Sequence, residues 1–242
     1  MTKIIGHRGA MGYRPENTMT SFKKAIELKS HGIELDVHLT KDQVAVVMHD
    51  DRVDRTTDRI GRIGDYTYPQ IKRLDAGSWF SKGYAGERVP SLEEVLALSV
   101  SSDFIFNIEL KAGSVQYPGI ERVVLALIDK YNRHKQVIVS SFDHGGIVAI
   151  KKMAPDIKTG ALVSSRLYHP CQYLATMGCD ALHPDYRTLD KGMVDSLLKK
   201  GYEINTYTVN HEKIIARLMR MGVTGIITNY PDLGIRQWEL NS

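Results

Sequence analysis

Only two cysteines, Cys171 and Cys179, occur in the 242 residues. They have no second pair and no His-x-x-His nearby, which excludes a disulfide scaffold and speaks against a structural zinc site; reduced thiols are expected. No apolar stretch is long enough to span a bilayer. Residues 1–8 hold only Ile4 and Ile5 as an apolar run before charge resumes. Neither a membrane span nor a signal peptide is therefore expected, and a cytoplasmic location is. Neither sign of charge dominates: 32 Lys+Arg oppose 28 Asp+Glu, a net charge of +4. That is too small to argue for nucleic acid or a membrane surface, and it mildly suits an anionic substrate. Low-complexity runs, linkers and fixed-period repeats are absent, so one domain over 1–242 is expected. With 43% hydrophobic and 25% charged residues, the chain has the composition of an ordinary soluble globular protein and can bury a core without staples.

Short apolar, β-branched runs alternate with longer stretches of helical period. The runs predict strands at 3–6, 32–37, 44–48, 104–111, 137–141, 159–163, 181–183, 204–209 and 225–228. Asn17-Thr18 precedes Phe22, Ala25, Ile26 and Leu28, spaced for one helix face, with Asn17 as the expected N-cap. Ser91-Leu92-Glu93-Glu94 reads as a capping box. Further helices are predicted over 119–131, 144–153, 191–200 and 212–221, the last closed by Gly222. Strand then helix, repeated about eight times, predicts an α/β parallel (β/α) barrel. A doubly wound open sheet is the alternative, although no Gly-x-Gly-x-x-Gly follows the first strand. One stretch, roughly 50–90, is rich in Asp, Arg, Gly and Thr and reads as a small insertion after an early strand, packed over one barrel mouth.

In such barrels the active site lies at the carboxyl ends of the strands, and polar residues gather at those ends in this sequence. The first strand runs into Gly6-His7-Arg8-Gly9, the second contains Glu34-Leu35-Asp36, and the third ends Met48-His49-Asp50. The fourth ends Asn107-Ile108-Glu109-Leu110-Lys111. Alternate residues share a strand face, so Glu34 points with Asp36, and Asn107 with Glu109 and Lys111. Carboxylates converging on one mouth repel each other unless positive charge sits among them. A divalent cation, Ca²⁺ or Mg²⁺, suits an all-oxygen ligand set; structural ion pairs with Arg8 and Lys111 are the other reading. His7 and His49 at the same mouth make the pair needed for general acid–base work near neutral pH. His38 shares the face of Glu34 and Asp36 and is a further candidate. His31, His134, His144, His169, His183 and His211 read as helix-end or loop residues. Metal, histidines and cations together point to hydrolysis of a phosphate ester, without naming the ester.

At these residues the chain resembles the bacterial glycerophosphodiester phosphodiesterases. His7-Arg8-Gly9 with Arg14-Pro15-Glu16-Asn17-Thr18 is similar to that family's opening motif, and Glu34-Leu35-Asp36-Val37 and His49-Asp50 to its second and third blocks. Leu74-Asp75-Ala76-Gly77-Ser78-Trp79-Phe80, Val89-Pro90-Ser91-Leu92-Glu93-Glu94-Val95, Asn107-Ile108-Glu109-Leu110-Lys111, Tyr207-Thr208-Val209-Asn210 and a closing block from Gly225 to Asp232 extend the likeness in order along nearly the whole chain. The resemblance implies a (β/α)₈ (TIM) barrel that hydrolyses glycerophosphodiesters to sn-glycerol 3-phosphate and an alcohol such as choline, ethanolamine or glycerol. It implies His7 and His49 as the acid–base pair, and Glu34, Asp36 and Glu109 as ligands of Ca²⁺ or Mg²⁺. It also implies Arg8 and Lys111 as phosphate contacts, with Glu16 orienting Arg8. In the family's scheme the glycerol 2-hydroxyl attacks phosphorus and water opens the resulting cyclic phosphate. That fits the absence of a Ser or Cys nucleophile motif. Many members carry Trp where Tyr207 stands, at a position that packs on the glycerol. The closing block often reads Asp-Gly with a later Thr-Asp, against Thr224-Gly225 and Thr228-Asn229 here. None of these departures is expected to touch the histidines or the carboxylates.

Two other readings stand beside this one. A lysophospholipase D would need an apolar groove at the mouth, with Trp79, Phe80 and Tyr84 as walls. A non-catalytic phosphodiester-binding barrel would keep the fold without the chemistry. The expected partner is a small-molecule glycerophosphodiester, not nucleic acid and not an inserted membrane; a homodimer through barrel helices stays open.

Overall fold

A computed structural model describes residues 1–112 and 116–240; the remainder of the expected 1–242 domain lies outside the described residues. Nine strands occur among these residues: β1 (Lys3–Gly6), β2 (Gly32–Leu39), β3 (Ala45–Val47), β4 (Ile105–Leu110), β5 (Val137–Ser141), β6 (Lys158–Val163), β7 (Ala181–Pro184), β8 (Glu203–Thr206) and β9 (Gly225–Thr228). The helices are α1 (Met19–Glu27), α2 (Tyr68–Ile71), α3 (Leu92–Leu96), α4 (Ile120–Lys130), α5 (His144–Met153), α6 (Pro170–Met177), α7 (Lys191–Lys199), α8 (Glu212–Met221) and α9 (Pro231–Glu239). β1 pairs in parallel with both β2 and β9, and the ring runs β1-β2-β4-β5-β6-β7-β8-β9, so the sheet closes as an eight-stranded parallel barrel. Closure removes the open-sheet alternative. β3 is an extra strand, antiparallel on β2. None of the described helices is long and apolar enough to cross a membrane.

Three helices escaped the sequence pattern: the one-turn α2 within the insertion, and α6 and α9. α6 and α9 begin at a proline and lack a side-chain cap hydrogen bond, and the residue before α6, His169, has a left-handed backbone. The capping side chain that marks most helix starts is therefore missing from both, and proline at the first position is the one start signal they carry. The capping box at Ser91 and Glu94 forms as expected, and Gly222 closes α8 with φ +87°. The cap of α1 is a correction: Thr18, not Asn17, accepts from the Ser21 amide. Asn17 lies one residue earlier in the left-handed region, φ +56°, which frees its side chain to reach the barrel mouth.

Alternation along the strands divides the wall into two faces. Ile33, Leu35, Phe106, Ile108 and Val139 pack outward against Phe22, Ala25, Leu92 and Val124 in one arc of core. Ile4, Ala161, Leu182, Ile204 and Ile226 pack against α6–α9 in a second arc. Each such buried side chain contributes about 1.5–3 kcal/mol through area removed from water. The insertion over 50–90 has its own small core, with Val53, Ile63, Ile71, Leu74 and Val89 packed on Val46 and Met48.

The opposite strand positions face the barrel axis, and one of them corrects a sequence expectation. His183 lies within β7, fully buried, not in a loop. Its Nε2 accepts from Asn205 Nδ2 at 3.0 Å, and its Nδ1 has no hydrogen-bond partner among the described residues. The ring fits because Gly160 faces it: a Cβ there would stand 2.3 Å from His183 Nε2. Burial pushes the His183 pKa down to about 3. The unfolded chain thus takes up this proton before the folded one does. Stability from the neutral ring is complete above about pH 6.5 and is lost as pH falls toward the folded value. Urea unfolding from about pH 7.5 down to about pH 5 is expected to give falling midpoints, with a shallower fall in His183→Gln. An unchanged slope in that variant would remove His183 from the acid response.

Candidate active site

The axis-facing residues of β2 and β4 meet at the carboxyl end of the barrel. Register pairs Glu34 with Asn107 and Asp36 with Glu109. One carboxylate oxygen from each of Glu34, Asp36 and Glu109 lies within 4.8 Å of the others. Glu34 and Asp36 are buried, and the Glu109 side chain is 12% exposed. Lys111 Nζ stands 2.9 Å from Glu109 Oε1 and 3.4 Å from Asp36 Oδ1. Arg8 donates its backbone N–H to Glu34 Oε2 at 2.9 Å, and its Nε lies 3.4 Å from Asp36 Oδ2 without hydrogen-bond geometry. The guanidinium spends its stronger contact elsewhere, donating to Glu16 Oε1 at 2.7 Å.

Two cations do not balance this cluster. Asp36 stays ionised: burial works against its charge, but Lys111 and Arg8 outweigh it and hold its pKa low. Glu34 then carries the strain. Burial, followed by the charges of Asp36 and Glu109, pushes its pKa well above the usual carboxylate range, and burial and Asp36 raise that of Glu109 as well. The ion-pair reading is therefore incomplete, because with Arg8 shared with Glu16 an excess of negative charge is left. Three close, buried oxygens with uncompensated charge fit a hard divalent cation.

Both candidate histidines reach the same cavity, of about 270 Å³, with Arg8, Asn107, Lys111, Phe142 and Tyr207 among its other walls. His7 Nδ1 donates to Asn229 Oδ1 at 2.7 Å, leaving Nε2 bare, 3.9 Å from Glu34 Oε2. Burial, then the charge of Arg8, lowers the His7 pKa to about 4, so the ring is neutral near pH 7. The Asn229 contact corrects the expectation that departures from the family pattern avoid the histidines: one of them is this histidine's own partner. His49 Nδ1 donates to Asp50 Oδ1 at 2.7 Å. His38 stands outside the cavity: its Nε2 donates to the His49 carbonyl at 3.1 Å and its Nδ1 accepts from Tyr117 Oη at 2.9 Å. Tyr207 donates to the Val163 carbonyl at 3.0 Å and meets Phe142 edge to face, so it presents ring more than hydroxyl to the cavity. Trp79, Phe80 and Tyr84 stack on one another and are not among the cavity walls. A wider depression of about 530 Å³ at the opposite end, lined by Met1, Thr2 and Thr224, has Arg220 as its one charged side chain.

Sequence reasoning missed three residues here: Arg55, Asn229 and the placement role of Asn17. Asn17 Nδ2 donates to Asp36 Oδ2 at 2.8 Å, a contact its left-handed backbone allows. Its proximity to Pro15-Glu16 in one motif was the available signal.

Comparison with known proteins follows the same residues. The model of the glycerophosphoryl diester phosphodiesterase family matches residues 7–233. A glycerophosphodiester phosphodiesterase of Caldanaerobacter subterraneus subsp. tengcongensis is 44% identical over 231 residues, 96% of this chain and 95% of that protein. One of Bacillus altitudinis is 40% identical, with 98% of each chain covered. Among solved structures, an Oleispira antarctica phosphodiesterase in complex with the product sn-glycerol-3-phosphate superposes with a TM-score of 0.90 at 28% identity, covering 99% of this chain and 97% of that one.

Asn17→Ala should destabilise the fold by about 2–4 kcal/mol, from a lost hydrogen bond to a buried charge and a β-carbon in the left-handed region. Asn17→Gly should lose only the hydrogen-bond part, about 1.5–3 kcal/mol. Urea denaturation of the two variants separates the terms; equal losses would eliminate the backbone contribution.

Proposed function

The chain belongs to the glycerophosphoryl diester phosphodiesterase family, and from that premise we propose that it hydrolyses glycerophosphodiesters to sn-glycerol 3-phosphate and an alcohol, with a divalent cation and two histidines. The observation that carries this reading is the cluster of Glu34, Asp36 and Glu109 beside two histidines with bare Nε2 atoms in one cavity. The three carboxylates would hold Ca²⁺ or Mg²⁺, which when bound supplies positive charge to a phosphoryl oxygen and to the attacking hydroxyl. Arg8 and Lys111 line the cavity as fixed cations and suit the phosphate. Tyr207 and Phe142 offer ring faces to the glycerol or head group. His7, held neutral by burial, takes the proton from the attacking hydroxyl. The P–O bond to the alcohol breaks as His49, carrying a second proton on Nε2 at this step, gives that proton to the leaving oxygen. The walls expected for a lysophospholipase D groove, Trp79, Phe80 and Tyr84, meet edge to face and do not line the cavity of the two histidines, so the first reading is preferred. A cytoplasmic site of action and one domain over the whole chain remain part of this proposal.

Release of sn-glycerol 3-phosphate from glycerophosphocholine tests the reaction directly. Activity should vanish in a chelator and return with Ca²⁺ or Mg²⁺, and saturating cation should stabilise the fold by about 3 kcal/mol at 100-fold excess over its Kd. Full turnover in the chelator would sink the metal proposal. His7→Ala and His49→Ala should each lose about 10²–10⁴-fold in kcat. With a nitrophenyl leaving group, which needs no proton, His49→Ala should lose less than His7→Ala; the reverse order would exchange the two roles.

A further inference from the structure

We propose that Arg55, carried by the insertion, is a positioning residue that fixes His49 through Asp50; the inference rests on the acid–base role proposed above for His49. His49 follows β3 in irregular chain, and its side chain is 34% exposed. No strand pairing holds the ring. Its one ring hydrogen bond among the described residues is Nδ1–H to Asp50 Oδ1, and an adjacent carboxylate, itself 30% exposed, is a mobile partner unless something anchors it.

Arg55 is that anchor. Its Nε donates to Asp50 Oδ2 at 2.8 Å and its Nη2 to Asp50 Oδ1 at 3.1 Å. The other edge of the same guanidinium addresses Glu16, with Nη1 to Oε2 and Nη2 to Oε1, both at 2.8 Å. Glu16 is a firm end point: its side chain is 4% exposed and it is also held by Arg8. The Arg55 backbone is set by buried neighbours, Val53 and Thr56, at the edge of the insertion core. Barrel, Glu16, Arg55, Asp50 and His49 thus form one continuous strut. The planar fork matters, because a point charge cannot satisfy two carboxylates side-on at once. The anchored carboxylate keeps the proton on Nδ1 and the bare Nε2 toward the cavity. From the far side, His38 Nε2–H holds the His49 carbonyl, so the strut is left to govern the ring. Asp50 is also kept strongly ionised, first by the Arg55 hydrogen bond.

The competing idea is a tie that merely fastens the insertion to the barrel. Arg55→Met and Arg55→Lys in the full chain separate the two. With saturating divalent cation and glycerophosphocholine, Arg55→Met is expected to lower kcat about 10–100-fold with KM changed by less than about 3-fold, and Arg55→Lys to fall between it and the wild type. In a His49→Ala background, Arg55→Met should cost nothing further. In long-range ¹H–¹⁵N spectra of histidine-labelled protein, His49 should change from one Nδ1–H tautomer to a mixture. Unchanged kcat with an unchanged His49 tautomer would overturn the proposal, and so would additive losses in the His49→Ala background. If the wild type released no product, the activity reading would fail by itself. The His49 spectra of wild type and Arg55→Met would then still decide whether the strut holds the ring. Should Arg55→Met not fold, Arg55→Lys carries the same comparison.

Discussion

The repulsion among three carboxylates on two adjacent strands is the constraint around which the carboxyl end of this barrel is organised. With the three oxygens within 4.8 Å of one another, each like-charged pair would cost at least about 3 kcal/mol at an effective dielectric of about 20. The barrel imposes this arrangement, because parallel pairing puts Asp36 opposite Glu109 and alternation turns Glu34 to the same side. Everything placed nearby answers that charge. Lys111 takes Asp36 and Glu109, Arg8 reaches Asp36 and gives Glu34 a backbone hydrogen bond, and Asn17 donates to Asp36. The leftover charge suits the bound cation proposed above, and it pushes the pKa values of Glu34 and Glu109 upward.

The insertion extends this logic outward. Arg8 divides its guanidinium between the cluster and Glu16, and Glu16 in turn divides its oxygens between Arg8 and Arg55. A chain of alternating charges thus runs from the barrel interior to Asp50 and His49 at the rim. Such a chain is stiff because every member has two partners, and exposed members inherit order from buried ones. The insertion therefore supplies a cation, Arg55, that bridges Glu16 and Asp50.

The strand order and the carboxylates were legible in the sequence because both follow from period-two alternation, a local signal. Leu35, Ile108 and Leu110 alternate with Glu34, Asp36, Asn107, Glu109 and Lys111, and the folded strands keep that division. What was not legible depends on contacts between distant segments. Asn17 read as a helix cap because its neighbours said so, while its partner Asp36 lies across the barrel mouth. His183 read as a loop residue because nothing local reveals that Gly160, on the next strand, leaves a cavity for its ring. Arg55 sits in a stretch crowded with Asp and Arg, where several ion pairs are equally plausible until the chain is folded.

Amides serve both hydrogen-bond roles inside this barrel, accepting from one histidine and donating to another and to a carboxylate. Asn229 accepts from His7, Asn205 donates to His183, and Asn17 donates to Asp36. A carboxylate at Asn229 would hold the His7 ring equally well, but it would add another negative charge close to Glu34, which is already driven toward its neutral form. It would also favour the protonated ring, against the burial and the Arg8 charge that keep His7 neutral. The amide fixes the same tautomer without either effect. At His49, which is more exposed, the partner is the carboxylate Asp50, and its charge is absorbed by Arg55. The two histidines are thus oriented by the same geometry through partners of different charge, an amide at His7 and an arginine-paired carboxylate at His49.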